Sequence, residues 1–357
     1  MRSPTRLRKR VTGGSFAWMS KAASSFHSEC SLISWTHNTQ NFWVGCDKVA
    51  PECAKCYIGR EIRKQSDWQG GGPRKSWGEV YLTKTWEAPY RCEAELKQGK
   101  QAKRIFTCSL SDFFHAKVDD RTVLAKVPAV LPIVGGETIA VREAPRKEHF
   151  RPAFDCGSFR WRDCAWQVIK DTPHLVYLIL TKRPELIPAR LPKDWGQGYP
   201  NVWLGTSVGC NQTLSKIDSL RRVPIHPDAV RFISAEPLLE DISENINLDG
   251  IGWLIAGGES GTNPEYVWDA SADWREEMKS GEGRRYMDVA WAWRLQRLAH
   301  REGIPFYFKQ ITSGRQHVGM DALGKIYREY PAPPKGMIWM PENAEIKMPH
   351  QQLVVLQ

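Results

Sequence analysis

Three cysteines stand within eleven residues, in the order Cys46-Asp-Lys-Val-Ala-Pro-Glu-Cys53-Ala-Lys-Cys56, a C-x6-C-x2-C spacing. Two cysteines separated by two residues can point their thiolates at one metal centre, and a third across a short loop closes a three-sided face. Three thiolates can hold three irons of a 4Fe–4S cluster and leave the fourth iron open to a small ligand. The same three residues with His37 or His115 as a fourth ligand would instead suit a structural zinc. Three unligated thiols are the remaining reading, although free cysteines are more often solitary and buried. The other six cysteines look structural: Cys108 falls in a strand pattern, Cys164 on an apolar helix face, and Cys30, Cys92, Cys156 and Cys210 have no neighbour at ligand spacing. An odd total of nine in a chain this long is not a disulfide framework. It implies a reducing compartment, and a cytoplasmic location is expected.

Polar residues recur where apolar runs end: Ser109 and Asp112, Lys182 and Arg183, Glu236, then Gly257, Gly258 and Glu259, and finally Lys309 and Gln310. In parallel α/β folds the strand ends converge on one cavity, so these groups are expected to share a ligand pocket. Lys182 and Arg183 suit a carboxylate or phosphate. Glu236 and Glu259 suit an ammonium or ribose hydroxyls. Gly257-Gly258 lets backbone amides approach an anionic group closely.

The runs that must position these groups are Glu79–Thr85, Arg104–Asp112, Leu175–Arg183, Asn201–Val208, Val230–Pro237, Trp253–Gly261 and Pro305–Gln310. Their near-continuous apolar character predicts strands buried on both faces of a parallel sheet. Helical periodicity covers Trp161–Asp171, with Cys164, Val168 and Ile169 on one face, and Asp288–Glu302, with Val289, Trp293, Leu295 and Leu298 inward. Spacings of 26, 29 and 23 residues between the runs starting at 175, 201, 230 and 253 suggest βα units. The fold class expected is therefore α/β, a complete or partial parallel (β/α) barrel, with one further strand before the cysteines. A doubly wound open parallel sheet is the alternative.

The interval from the run at 104 to that at 175 is too long for one βα unit, as is that from 253 to 305. Insertions at about 121–160 and 263–282 account for both. Residues 1–18 read as a disordered basic tail, residues 19–315 as the barrel domain, and residues 316–357 as a C-terminal extension. An acid-free, Arg-rich transit peptide, or a start at Met19, are the other readings of the tail.

The formal net charge of +10 invites a nucleic-acid reading. Yet residues 1–18 carry five basic side chains and no acid, and residues 121–160 carry seven basic against four acidic, so the remainder is nearly balanced. Sixteen tryptophans could stack on bases or fill the core, and burial preferences favour the core. No run of 18 or more apolar residues occurs, so no membrane span is expected. No secretory signal is visible.

At these residues the chain resembles the three-cysteine-motif family of bacterial and phage proteins of unknown function. The matching stretches include Trp35-Thr36, Gly45-Cys46, Lys48-Val49, Cys53, Cys56-Tyr57, Ser109 with Asp112-Phe113-Phe114, Leu180-Thr181-Lys182-Arg183-Pro184-Glu185, Glu236-Pro237-Leu238-Leu239, Gly257-Gly258-Glu259-Ser260-Gly261 and Phe308-Lys309-Gln310. His37 stands where that family usually has Asp, and Gln40 and Phe42 replace a usual aromatic residue and Pro. The resemblance implies a radical-SAM-like barrel with a 4Fe–4S cluster on Cys46, Cys53 and Cys56. S-adenosylmethionine (SAM) would be bound by groups drawn from Ser109, Asp112, Lys182, Arg183, Glu236, Gly257, Gly258 and Glu259. In such an enzyme the reduced cluster cleaves SAM to a 5′-deoxyadenosyl radical that abstracts hydrogen from the substrate. The resemblance does not supply that substrate; a nucleic acid or a nucleotide is one candidate. A protein partner encoded nearby is a further expectation. The competing function is a nucleic-acid-binding protein braced by zinc or an iron–sulfur cluster, without catalysis.

Overall fold

The computed structural model describes residues 33–56, 58, 80–83, 85–96, 100–119, 160–260, 264–266, 271, 284–312 and 327–341. Its strands are β1 (Asn38–Gln40), β2 (Trp43–Val44), β3 (Tyr81–Leu82), β4 (Gln101–Thr107), β5 (Leu175–Thr181), β6 (Val202–Ser207), β7 (Arg231–Ala235), β8 (Trp253–Gly257), β9 (Pro264–Tyr266), β10 (Arg284–Arg285), β11 (Phe306–Gln310) and β12 (Ile338–Trp339). Its α-helices are α1 (Ala88–Leu96), α2 (Trp161–Asp171), α3 (Ser215–Arg221) and α4 (Val289–Arg301). The main sheet runs β1-β4-β5-β6-β7-β8-β11, with β12 beside β4, and every pairing in it is parallel. This is a curled half-barrel. The strand order never reverses, which rules out the doubly wound alternative, since that fold needs a switch point.

Side chains on the central strands alternate in allegiance, as a two-residue period dictates. Leu175, Tyr177 and Ile179 of β5 face outward onto Cys164, Val168 and Ile169 of α2. Val176 and Leu178 face inward, into a cluster with Trp203, Phe232, Trp253, Ile255 and Tyr307. Both faces are covered, which is why these strands read as unbroken apolar runs. Helix α2 occupies the span expected from its periodicity. Helix α4 begins on the Asp288 side chain, which accepts from the Ala290 amide at 2.8 Å.

Two connections differ from the expected βα units. No α-helix joins β5 to β6 or β7 to β8. After β5 the chain forms only short turns at Pro184–Leu186 and Pro188–Arg190, because closely spaced prolines lack the amides an α-helix would need. The run at Glu79–Thr85 is also not a barrel strand. Its core, β3, pairs antiparallel with β2 in a separate two-stranded sheet.

Residues 327–341, which the sequence set apart in a C-terminal extension, pack into the half-barrel. Phe308 donates its amide to Tyr327 at 2.8 Å, and Glu329 donates to Phe306 at 3.0 Å, so this segment covers the free edge of β11. It then crosses to β4, where β12 pairs with Gln101 and Ala102. Tyr330 and Trp339 join the inner aromatic cluster on the way. The Arg104 guanidinium lies 3.8 Å from the Tyr330 ring centroid and 5.0 Å from that of Trp339. Six tryptophans, at 35, 43, 86, 166, 203 and 253, are among the most deeply buried side chains. Their packing role is thus plain.

The flanks of the long interval meet in space: Asp119 pairs with Arg162 of α2 and with Arg190. The segment 120–159 lies outside the described residues, as do the basic tail at 1–18 and most of 263–282. Near the start of the latter, β9 pairs parallel with β10, which lies just beyond its end. Among the described residues no helix is long and apolar enough to cross a membrane.

Candidate functional site

Cys46, Cys53 and Cys56 all line one cavity at the C-terminal ends of the parallel strands. Cys46 follows β2 through Gly45, whose φ of 108° lies where a side chain would be strained. That turn lets Gly45 bond the loop after β4: its amide donates to Leu110 at 2.9 Å, and Ser111 Oγ donates to its carbonyl at 2.6 Å. Cys53 closes the short turn Pro51–Cys53, and the Cys56 amide donates back to the Cys53 carbonyl at 3.1 Å.

The cysteine loop is held down by charged side chains from several strand ends. Glu52 is buried beside Cys53 and accepts from the Gly209 amide at 2.8 Å and Thr213 Oγ1 at 2.6 Å, with Lys216 Nζ at 3.6 Å. Burial pushes the Glu52 carboxyl up, but Lys216, the Thr213 hydroxyl, Lys182 and the Gly209 amide together outweigh it and hold the pKa below the ordinary value. Arg285, fully buried, donates to the Pro51 carbonyl at 2.8 Å. Lys48 Nζ donates to the Ala54 carbonyl at 2.6 Å, and Arg183 Nη2 to the Asp47 carbonyl at 3.0 Å.

Asp112 organises the end of β5. It accepts from the Phe114 amide at 2.9 Å, Thr181 Oγ1 at 2.8 Å, the Lys182 amide at 3.0 Å and Arg183 Nη1 at 3.1 Å. Its carboxylate is therefore consumed in positioning the Lys182-Arg183 pair. Arg183 also pairs with the Asp47 carboxylate and approaches Cys46 Sγ at 3.7 Å. Lys182 Nζ donates to Ser207 Oγ at 3.0 Å. Burial disfavours the Lys182 ammonium, yet Cys53, Glu52, Cys56 and Asp112 around it win, and its pKa is raised. Burial pushes the Cys46 thiol up to about 12, against the pull of Arg183, and raises Cys56 as well.

Neither histidine weighed as a fourth ligand is free. His115 Nδ1 accepts from the Lys117 amide at 3.1 Å, which assigns the proton to Nε2, 2.9 Å from Asp47 Oδ1. Cys46, Asp47 and His115 do offer ligand atoms within 4.8 Å of one another. With its proton held on Nε2, however, the imidazole has no lone pair to give there. His37 lies at the strand edge, away from the thiols, where Nδ1 accepts from the Arg104 amide at 2.9 Å and Nε2 meets the Met340 carbonyl at 3.0 Å.

The remaining expected residues divide. Ser109, Glu236, Gly258 and Lys309 line the same cavity as the thiols. Glu236 accepts from Ser234 Oγ at 3.0 Å and lies 2.8 Å from Lys309 Nζ. Ser109 Oγ is bonded to the Asn41 side chain. Glu259 lines the cavity, but its carboxylate is gripped by Arg285, at 2.6 Å from Nη2, with the Arg285 amide at 2.9 Å, so it braces the wall instead of offering free acceptors. The glycine pair also serves packing. The Gly258 amide is used on the Gln310 carbonyl at 2.8 Å, and a Cβ there would sit 2.4 Å from the Thr312 nitrogen. The Gly257 carbonyl accepts from Leu238 at 2.8 Å. The sequence did not single out Glu52, Asp47, Arg285 or Trp35 as site residues. For Glu52 adjacency to Cys53 was the available signal; Arg285 carries none, because its partners are remote in the chain.

The match to known sequences covers residues 30–134 and 157–280. The chain belongs to DUF5131, a family of proteins of unknown function. The DUF5131 match includes all three cysteines of the cavity and Asp112, Lys182, Arg183, Glu236 and Glu259. Its internal break, 135–156, falls inside the segment at about 121–160 that stretches the first long interval. No curated protein and no solved structure matches the chain.

Proposed function

We propose that this DUF5131 protein is a radical-SAM-like enzyme carrying a 4Fe–4S cluster on Cys46, Cys53 and Cys56. The observation that carries the reading is the convergence of all three cysteines, Lys182 and Arg183 on one cavity at the C-terminal ends of a parallel half-barrel. The donor set fits the group. One loop supplies three thiols; it is braced by Glu52 and Arg285, and cationic side chains stand ready to offset thiolate charge. Zinc fits less well, since the Lys117 amide on Nδ1 leaves the His115 proton on Nε2, and both nitrogens of His37 are already engaged.

When bound, a cluster of this type supplies one-electron chemistry. The chain's own residues do the rest. Arg183, locked by Asp112 and Asp47, presents a guanidinium to Cys46. Lys182, with its ammonium anchored on Ser207, has further N–H donors to offer a ligand carboxylate. The Glu236–Lys309 pair offers a carboxylate and an ammonium to a ligand's amine, hydroxyls or acid groups. The cavity is lined by the thiols on one side and by the Glu236–Lys309 pair on another.

The test is anaerobic reconstitution of the full chain with iron and sulfide. The expected result is four irons and four sulfides per chain, a brown colour that bleaches with dithionite, and 5′-deoxyadenosine released from SAM. Cys53→Ser should lose the colour. A colourless protein that takes up one zinc per chain would overturn the reading.

A further inference from the structure

The sequence offers Arg183 as a clamp for a ligand's carboxylate or phosphate, yet the fold spends its donors inside the protein. The side chain is buried. A guanidinium carries two N–H donors on each terminal nitrogen, in one rigid plane. Nη2 donates to the Asp47 carbonyl at 3.0 Å and to the Asp47 carboxylate. Nη1 donates to Asp112 Oδ2 at 3.1 Å and, with its other hydrogen, to Cys46 Sγ at 3.7 Å. Three contacts to oxygen therefore fix the plane, and the fourth terminal N–H is aimed at sulfur. No terminal donor is left over for a ligand.

Two carboxylates, of Asp47 and Asp112, pair with this one guanidinium. Its positive charge is thus already balanced, and what Cys46 receives is chiefly a directed N–H. Hydrogen bonds to cluster sulfurs are among the levers that set a reduction potential. They stabilise negative charge on sulfur, and the reduced form carries more of it.

We propose that Arg183 is a positioning residue for redox chemistry: its N–H on Cys46 Sγ makes the metal group held by the thiols easier to reduce, and it takes no part in binding the ligand. The redox consequence rests on the proposed iron–sulfur reading; the hydrogen bond to a metal-bound Cys46 requires no iron.

The experiment is an anaerobic potentiometric titration of the reconstituted full chain, read by electron paramagnetic resonance, comparing wild type with Arg183→Lys. Lysine keeps the charge and can pair with Asp47 or Asp112, but it has no planar fork to serve all these acceptors at once. At a fixed potential the reduced-to-oxidised ratio should fall about tenfold, the worth of one charge-assisted hydrogen bond, which lowers the midpoint by about 59 mV. Iron and sulfide content should match wild type, and SAM affinity should stay within about twofold. An unchanged or raised midpoint would overturn the proposal, by reducing Arg183 to a charge that any cation supplies. A large loss of SAM affinity would overturn it too, by returning Arg183 to the ligand. Should Arg183→Lys not fold, the wild-type chain loaded with magnetic cadmium and nitrogen-labelled arginine decides. A scalar coupling between cadmium and one guanidinium proton, carried through Cys46 Sγ, is expected, and its absence would overturn the contact. That coupling in a protein that forms no iron–sulfur cluster sinks the proposed function and spares the Arg183 donor; a cluster whose midpoint ignores Arg183→Lys does the reverse.

Discussion

Replacing Glu52 by alanine tests how the cysteine loop is held. The carboxylate accepts from Gly209 and Thr213 and sits beside Lys216, whose side chain retains 15% exposure. Removing one partner of a buried pair typically costs about 3–5 kcal/mol. Because Lys216 can turn partly toward water, about 2–3 kcal/mol is the expected loss for Glu52→Ala. At about 2.1 cal/mol/K of unfolding entropy per residue, each kcal/mol moves the thermal midpoint of this 357-residue chain by roughly 1–2 °C, so a fall of about 2–6 °C is expected. Glu52→Gln keeps an acceptor for Gly209 and Thr213 and should fall in between. The Glu52 pKa is depressed in the fold, so its contribution is complete above the unfolded value of 4.5 and is lost as the pH drops below it. Wild-type stability should therefore decline on acidification below that pH, and Glu52→Ala should lack this share of the decline. The assay is circular dichroism of the metal-free chain against temperature and pH, with thiol labelling as a second readout. Cys53 should label faster in Glu52→Ala, while Cys164, buried under α2, serves as the unchanged control. A midpoint within about 1 °C of wild type, with Cys53 labelling unchanged, would refute the brace.

Other perturbations probe the frame. Burial and Arg104 lower the His37 pKa from 6.5 to about 4. The unfolded chain therefore binds that proton first, and stability present above pH 6.5 drains away as the pH falls toward 4. Denaturant titrations from pH 7 to 4 should show this slope, and His37→Gln should flatten it. Gly258→Ala would place a Cβ 2.4 Å from the Thr312 nitrogen, and overpacking against backbone should cost about 1–3 kcal/mol or more in a denaturant titration. Ending the chain at residue 326 removes Tyr330 and Trp339 from the inner cluster and uncovers the edge of β11. Size-exclusion chromatography should then show aggregation, and a monomer of unaltered melting temperature would argue that the segment is dispensable.

The strands of the half-barrel and helices α2 and α4 were legible in the sequence, because burial on one or both sides of an element writes its period directly into neighbouring residues. The three cysteines were legible for a similar reason: thiols on one loop declare their nearness by spacing alone. What surrounds them was not. Glu52 bonds Gly209, 157 residues away, and Arg285 reaches the Pro51 carbonyl across 234 residues. A lone acid or arginine in a chain with 40 acidic and 50 basic side chains has too many candidate partners for sequence to choose one. The same holds for Glu259, which as a strand-end acid suggested a ligand contact until tertiary packing laid Arg285 against it. Strands as short as β3 and β12, two residues each, have no period to read. Their places are set by the partner strands that cover them. Local chemistry is carried by spacing along the chain, whereas burial and charge pairing between distant residues are decided by the fold that brings them together.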